Sequence, residues 1–377
     1  MRQRDRANMA DNDTESRRAS WKRALYIGYF NVALFCVLLV GLEIAGQIGF
    51  FLVRGYPIVE SDRHVGLYEN IFEPHPFLVG RPRSNVSVTA LGTTISITDL
   101  RTRHTGAPTD GGDRIRVAVL GGSTTFGTRV DDGDSWPALL QDSLGEEYAV
   151  YNFGVPGYSS AEAIVQMALL VPEIQPHIVV YYLGWNDIRN YHDPGLGPDY
   201  YTHGLQQYSA LALPFHPHEG AFGRMARVSA VFKLAGRLSR TIRNVPDVAA
   251  TPLASPDSFV DRIYLRNLRI LRLLGQDAGA RVLFVPQVLN NEHFRGRPGS
   301  RFWSPRIVDD AMPALMARFN LFMHEACPAN ASDCAVLDGV LQQDWSSADF
   351  LDDGHFGRDG GGRFVSFVAS MIRSTPY

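Results

Sequence analysis

The sequence predicts an α/β protein: a doubly wound parallel sheet with helices on both faces, preceded by one membrane-crossing helix. From Asp113 onward, short apolar runs alternate with helical patterns, which is how parallel strands are threaded through crossover helices. Ahead of that region, Glu43 is the only charged residue between Arg23 and Arg54. So long an apolar stretch exceeds the roughly 20 residues that cross a bilayer core. The 377 residues are 45% hydrophobic and 20% charged, enough to bury a large core. The formal net charge of −3 gives no electrostatic reason to expect nucleic acid as a partner.

Ala24–Val53 is the expected transmembrane anchor, with its most apolar part at Val32–Leu42. A span near Leu25–Leu42 leaves Glu43 and Gln47 at the far interface. Arg17, Arg18, Lys22 and Arg23 precede the span and only Arg54 closely follows it. That asymmetry assigns residues 1–23 to a cytoplasmic tail and the bulk of the chain to the outside. The long charged start and the poor cleavage site at Ala45-Gly46-Gln47 favour an uncleaved anchor over a signal peptide. Residues 54–112 read as a juxtamembrane linker, with a hairpin of Val86–Ala90 and Thr94–Thr98 around Leu91-Gly92. Of the 3 cysteines, Cys36 lies in the apolar stretch. Cys327 and Cys334 flank a short loop and are either a local disulfide or two buried thiols. No second Cys or His pair sits nearby to complete a zinc site.

Residues 113–377 are the expected main domain. Ile115–Leu120 is an apolar run ending in Gly121-Gly122, the form of a buried parallel strand. A helix is expected over Trp136–Leu144, with Pro137 in its first turn, and a strand over Tyr148–Asn152. Ser159-Ser160-Ala161-Glu162 is a capping box that opens a helix through Val171. His177–Leu183 is the third strand. Residues 188–254 break the alternation and read as an insertion over the cleft, with a basic amphipathic stretch at Val228–Arg243. Trp185, Tyr200 and Tyr201 are candidates to line that cleft, although packing is the plainer role for the tyrosines. The pattern resumes with a helix at Ser258–Ala278, a strand at Arg281–Pro286 and a helix at Pro305–Ala326. A strand at Ala335–Leu337 and a helix at Gly362–Arg373 complete it.

The chemistry-bearing residues fall in the loops at the strand ends, where sites of open parallel sheets lie. Ser123 follows the first strand, Gly157 the second and Asn186 the third, while Asp352 and His355 precede the last helix. A serine hydroxyl needs a base to take its proton, and histidine is suited because it titrates near neutrality. A carboxylate fixes the imidazole tautomer. An oxyanion needs preorganised donors, which the backbone amides of Ser123 and Gly157 and the Asn186 side chain would supply. Each residue alone has a plainer reading: Ser123 as a helix cap, Gly157 as a turn residue, Asn186 as a cap, His355 as a solvated loop histidine. Their joint occurrence at successive strand ends argues against those readings. Asp353 is at the wrong spacing to serve His355, and Asp187 reads as a brace for the Asn186 loop. His293 and His324 have no Asp at the right spacing.

Gly-Gly-Ser123-Thr-Thr, Asn152-Phe-Gly-Val-Pro-Gly157, Gly184-Trp-Asn186-Asp and Asp352-x-x-His355, in this order, resemble the four blocks of the SGNH (GDSL-like) hydrolase family. The nucleophile block departs from the pattern in lacking the Asp and Leu of G-D-S-L. The resemblance covers roughly residues 113–377. It implies a flavodoxin-like three-layer α/β/α sandwich, no cofactor or metal, and hydrolysis or transfer of acyl esters. The expected partners are an acyl-ester substrate on a small molecule, a surface glycan or a lipid, the membrane, and for transfer a membrane-bound acyl donor. Two rivals stand beside it. A flavodoxin-like flavin-phosphate binder explains Gly122-Ser123-Thr124-Thr125 but neither Asn186 nor the Asp352–His355 pair. A catalytically silent glycan-binding envelope module requires that the triad not assemble.

Overall fold

The computed structural model describes residues 2–54, 57–58, 71–90, 92–110, 112–203, 225, 228–243, 251–300 and 304–374. The first half comprises α1 (Arg2–Arg54), β1 (Phe72–His75), β2 (Val79–Pro82), β3 (Val86–Ala90), β4 (Thr93–Ile97), β5 (Ile115–Gly121), α2 (Ser123–Phe126), α3 (Trp136–Leu144), β6 (Tyr148–Asn152) and α4 (Ser160–Leu169). Then follow β7 (Ile178–Tyr182), α5 (Trp185–Ile188), α6 (Ala230–Arg243), α7 (Ser258–Asp277), β8 (Arg281–Phe284), α8 (Met312–Ala326), β9 (Cys334–Val336) and α9 (Arg358–Ser374). The chain forms two compact units, Met1–Arg63 with His218–Pro246, and His64–Pro217 with Asp247–Tyr377.

In the larger unit five parallel strands are ordered β6-β5-β7-β8-β9. Alternation along each strand feeds two cores, as a period of two requires. Val117, Val119 and Val180 face Trp136 and Leu140 of α3 and Phe364 and Val368 of α9. Ala118, Leu120 and Tyr181 face Met167 of α4, Leu268 of α7 and Phe319 of α8. This is the expected three-layer sandwich. The chain passes from β5 to the edge strand β6 and then back across to β7. The topological switch therefore lies between β5 and β7, the position at which open sheets form their crevice.

The observed elements follow the sequence patterns closely, and the departures have local causes. The helix expected from Pro305 begins at Met312, because Leu253 pairs with the chain on either side of Ile307 and holds it extended. Conversely, α9 starts at Arg358, four residues early, despite Gly360, Gly361 and Gly362. A Cβ at Gly360 would overlap the Asp349 backbone, so glycine there permits a close approach that any side chain would block. The 54–112 region carries one more hairpin than expected, β1–β2. Its Phe72 and Leu78 pack with Ile95 and Ile97 of β4 against Phe126, Val155 and Tyr158. Cys327 and Cys334 form a disulfide between the end of α8 and β9.

In the smaller unit, Trp21–Val53 of α1 is a 33-residue stretch long and apolar enough to cross a bilayer. Its one carboxylate has a structural use. Glu43 accepts hydrogen bonds from the Ser229 hydroxyl (2.7 Å) and the Ala230 and Val231 backbone N–H groups (2.8 and 3.0 Å). It thereby caps α6 from another helix. Gln47 donates to Glu43 (2.7 Å) and to the Val228 carbonyl (2.9 Å). The amphipathic stretch expected within the 188–254 insertion is thus a helix that packs on α1. Most of the remaining insertion, 204–224 and 244–250, lies outside the described residues.

Candidate active site

Strand β5 ends in Gly121-Gly122, and both glycines are demanded by what lies against them. A Cβ on Gly121 would approach the Tyr182 carbonyl to 2.6 Å, and one on Gly122 would overlap the Asn186 amide. The chain can therefore turn sharply into α2 with Ser123 at its head. Ser123 Oγ lies 2.8 Å from His355 Nε2. The His355 Nδ1 lies 2.8 and 2.9 Å from the two carboxylate oxygens of Asp352. Since a carboxylate only accepts, Nδ1 carries the proton, and Nε2 is left to accept from the serine.

The Asp352–His355 loop is closed by Leu351 N–H donating to the His355 carbonyl (2.7 Å) and by Phe350 stacked on Phe356. Asp352 Oδ1 also accepts from the backbone N–H groups of Gly354 (3.1 Å) and His355 (3.0 Å). Burial opposes ionisation of Asp352. The hydrogen bond and charge of His355, with these backbone donors, outweigh it and hold the carboxyl well below the usual carboxylate range.

Asn186, at the start of α5 after β7, is buried and donates through Nδ2 to the Tyr158 carbonyl (2.9 Å). Gly157, next to Tyr158, takes a left-handed φ of +85°. Its carbonyl accepts from Nε2 of buried His203 (2.9 Å), so the Gly157–Tyr158 peptide is anchored by a residue from beyond α5. Sequence reading missed His203, and no local pattern marks it. The same holds for Arg103, buried beneath the turn after α2, where it binds the carbonyls of Phe126, Gly127 and Val130.

The structure separates the other candidates from the Ser123–His355 pair. Asp353 pairs with His293 (2.8 Å) and Asp338 with His324 (3.0 Å), so both histidines have aspartate partners that sequence spacing did not reveal. Of the residues suggested to line the cleft, Trp185 and Tyr200 are buried and Tyr201 is exposed. Asp187 accepts from the Ser160 N–H and hydroxyl, tying α5 to the first turn of α4.

Burial raises the Asp187 carboxyl from its ordinary value to about 7, against the lowering effect of Ser160. A carboxyl raised on folding keeps its proton between about 4 and 7, where the unfolded chain has lost it. Stability is therefore greatest at the acid end of that window and falls as pH rises to 7, by at most about 4 kcal/mol. Asp187→Asn should melt close to the wild type at pH 5 and above it at pH 8. Equal shifts at both pH values in thermal melts would show that Asp187 does not titrate in this range.

A parallel α/β/α sandwich with a hydroxyl, an imidazole and a carboxylate in hydrogen-bonded series at its switch point belongs to the class of serine hydrolases. The chain is a member of the GDSL-like Lipase/Acylhydrolase family, whose model matches residues 119–361. It is 33% identical over 71 residues to Thioesterase 1/protease 1/lysophospholipase L1 of Escherichia coli, covering 19% of this chain and 34% of that protein. It is 36% identical over 74 residues to Esterase TesA of Pseudomonas aeruginosa, covering 19% and 37%. These matches span about a third of the length of the curated relatives. Among solved structures, that of TesA covers 69% of this chain and 99% of its own at 17% identity, with a TM-score of 0.40. An acetyl xylan esterase, AlAXEase, covers 68% and 100% at 13% identity, with a TM-score of 0.38.

Proposed function

We propose that the chain is a membrane-anchored esterase in which Ser123 is the nucleophile, His355 the general base and acid, and Asp352 its orienting carboxylate. The observation that carries this reading is the unbroken series Ser123 Oγ–His355 Nε2 and His355 Nδ1–Asp352, at 2.8 Å each. Ser123 Oγ attacks the ester carbonyl carbon while His355 Nε2 takes its proton. The backbone N–H groups of Ser123 and Gly157 and the Asn186 amide receive the oxyanion. Collapse expels the alcohol, protonated by His355, and leaves an acyl-serine. Water, deprotonated by His355, releases the carboxylic acid and restores Ser123. Transfer would replace that water by a sugar hydroxyl and would require a donor partner.

In this reading residues 1–23 are cytoplasmic, 24–53 anchor the chain, 54–112 lead to the hydrolase domain at 113–377, and that domain faces outward. An anchored, outward-facing esterase suits removal of O-acyl groups from surface glycans or lipids. Labelling by a fluorophosphonate probe tests the reading. Wild-type protein should label, and Ser123→Ala should not. A folded wild type that resists labelling would overturn the esterase assignment and favour a silent binding module.

A further inference from the structure

The turn after the nucleophile is stapled from below. Arg103, with a fully buried side chain, sends Nη1 to the carbonyls of Phe126 (2.5 Å) and Gly127 and Nη2 to that of Val130 (2.6 Å). Its Nε reaches Asp132 (3.3 Å), and its guanidinium lies over the Phe126 ring. Within this turn Arg129 takes a φ of +74°. A left-handed conformation is uncommon for a residue other than glycine, and it persists only where the surroundings impose it. The Arg103 staple is that imposition. The Arg129 side chain, 61% exposed, stands at the outer end of the triad with Nη1 3.4 Å from Asp352 Oδ2.

That one long contact does not use up the group. A guanidinium carries five N–H donors in a planar fork and stays charged throughout the ordinary pH range. Asp352 is already bound by His355 and two backbone N–H groups. The acidic residues that follow Arg129 are engaged elsewhere. Asp131 accepts from Thr94 N–H (2.7 Å), Asp132 from Ser96 N–H (3.0 Å) and Arg103, and Asp134 pairs with Arg358. Arg129 is thus a charged fork, fixed at its backbone and open at its tip, beside the catalytic carboxylate.

The geometry points to Arg129 as a substrate-binding residue that takes an anionic group, carboxylate or phosphate, on the alcohol portion of the ester. The inference rests on the esterase reading and narrows its substrate to acyl esters of acidic alcohols. His355 hands its proton to the departing alcohol, so the alcohol lies beside His355, and Arg129 reaches the Asp352 that orients it. The planar fork matches the paired oxygens of either anion, and a partly exposed site leaves room for them.

The test compares the full wild-type chain with Arg129→Gln and Arg129→Lys on matched ester pairs. One pair is O-acetylated glucuronic acid against O-acetylated glucose. The other is 1-acylglycerol 3-phosphate against 1-monoacylglycerol. Wild type should prefer the anionic member of one pair, and that pair identifies the anion as carboxylate or phosphate. Arg129→Gln should cut the anionic-to-neutral ratio of kcat/KM at least about tenfold, mainly through KM, with Arg129→Lys recovering part of it. The wild-type preference should also shrink as salt is raised. Three outcomes overturn the proposal: no anionic preference in either pair, equal losses on both members in Arg129→Gln, or a probe-labelled wild type that hydrolyses neither anionic ester. Failure of the esterase reading is separately visible, because the same wild-type preparation would then not label with fluorophosphonate.

Discussion

Asp352→Asn is expected to lower kcat on an activated acetyl ester by about 10⁴-fold, and Ser123→Ala by about 10⁶-fold, on the scale of triads in other serine hydrolases. The argument is about tautomers. The carboxylate of Asp352 presents two acceptors to His355 Nδ1, at 2.8 and 2.9 Å. Asparagine can turn its NH2 toward Nδ1, which would then have to accept, and the proton would move to Nε2 and face Ser123. A base already protonated cannot take the serine proton. The loop should survive the change, because the asparagine oxygen still accepts from Gly354 and His355 N–H. A fall of less than tenfold in Asp352→Asn would remove Asp352 from the mechanism.

The same residue sets an acid limit. Its carboxyl is held well below the usual range, burial opposing and the hydrogen bonds of His355 and Gly354 prevailing. A depressed carboxyl contributes stability that is present above its unfolded value near 4 and is lost as pH falls through the folded value. The Asp352–His355 loop therefore stays closed across the ordinary working range and loosens only in stronger acid.

What the sequence revealed and what it hid divide by range of interaction. Strands β5, β6 and β7 are buried on both faces, so each is a continuous apolar run, and the residues at their ends stand out against it. Ser123, Gly157 and Asn186 were legible for that reason. His355 was legible because its partner is three residues away. Arg103, His203 and the aspartate partners of His293 and His324 were not, since each acts across a gap in the chain that leaves no periodic trace. The gap is 46 residues for His203 and Gly157. The β1–β2 hairpin was missed because its two strands have only four residues each, too short for alternation to emerge.

Asn186→Ala is expected to reduce kcat by about 10²- to 10³-fold, or about 3–4 kcal/mol, with little change in KM. One hydrogen of the Asn186 amide is committed to the Tyr158 carbonyl at 2.9 Å, which fixes the plane of the amide. The Asn186 backbone carbonyl is itself held by Asn190 Nδ2 (3.2 Å). The side chain lies against Gly122, where the absence of a Cβ makes room for it. His203 anchors the Gly157–Tyr158 peptide next to that contact. These braces hold the Asn186 amide before substrate arrives, so little reorganisation is needed there as charge develops on the carbonyl oxygen. A donor that meets charge only in the transition state contributes to kcat, not to ground-state affinity. Asn186→Asp should lose more than alanine does, because a carboxylate there would face both the Tyr158 carbonyl and the forming oxyanion. A raised KM with unchanged kcat in Asn186→Ala would instead place the amide in ground-state binding and leave the oxyanion to the two backbone N–H groups.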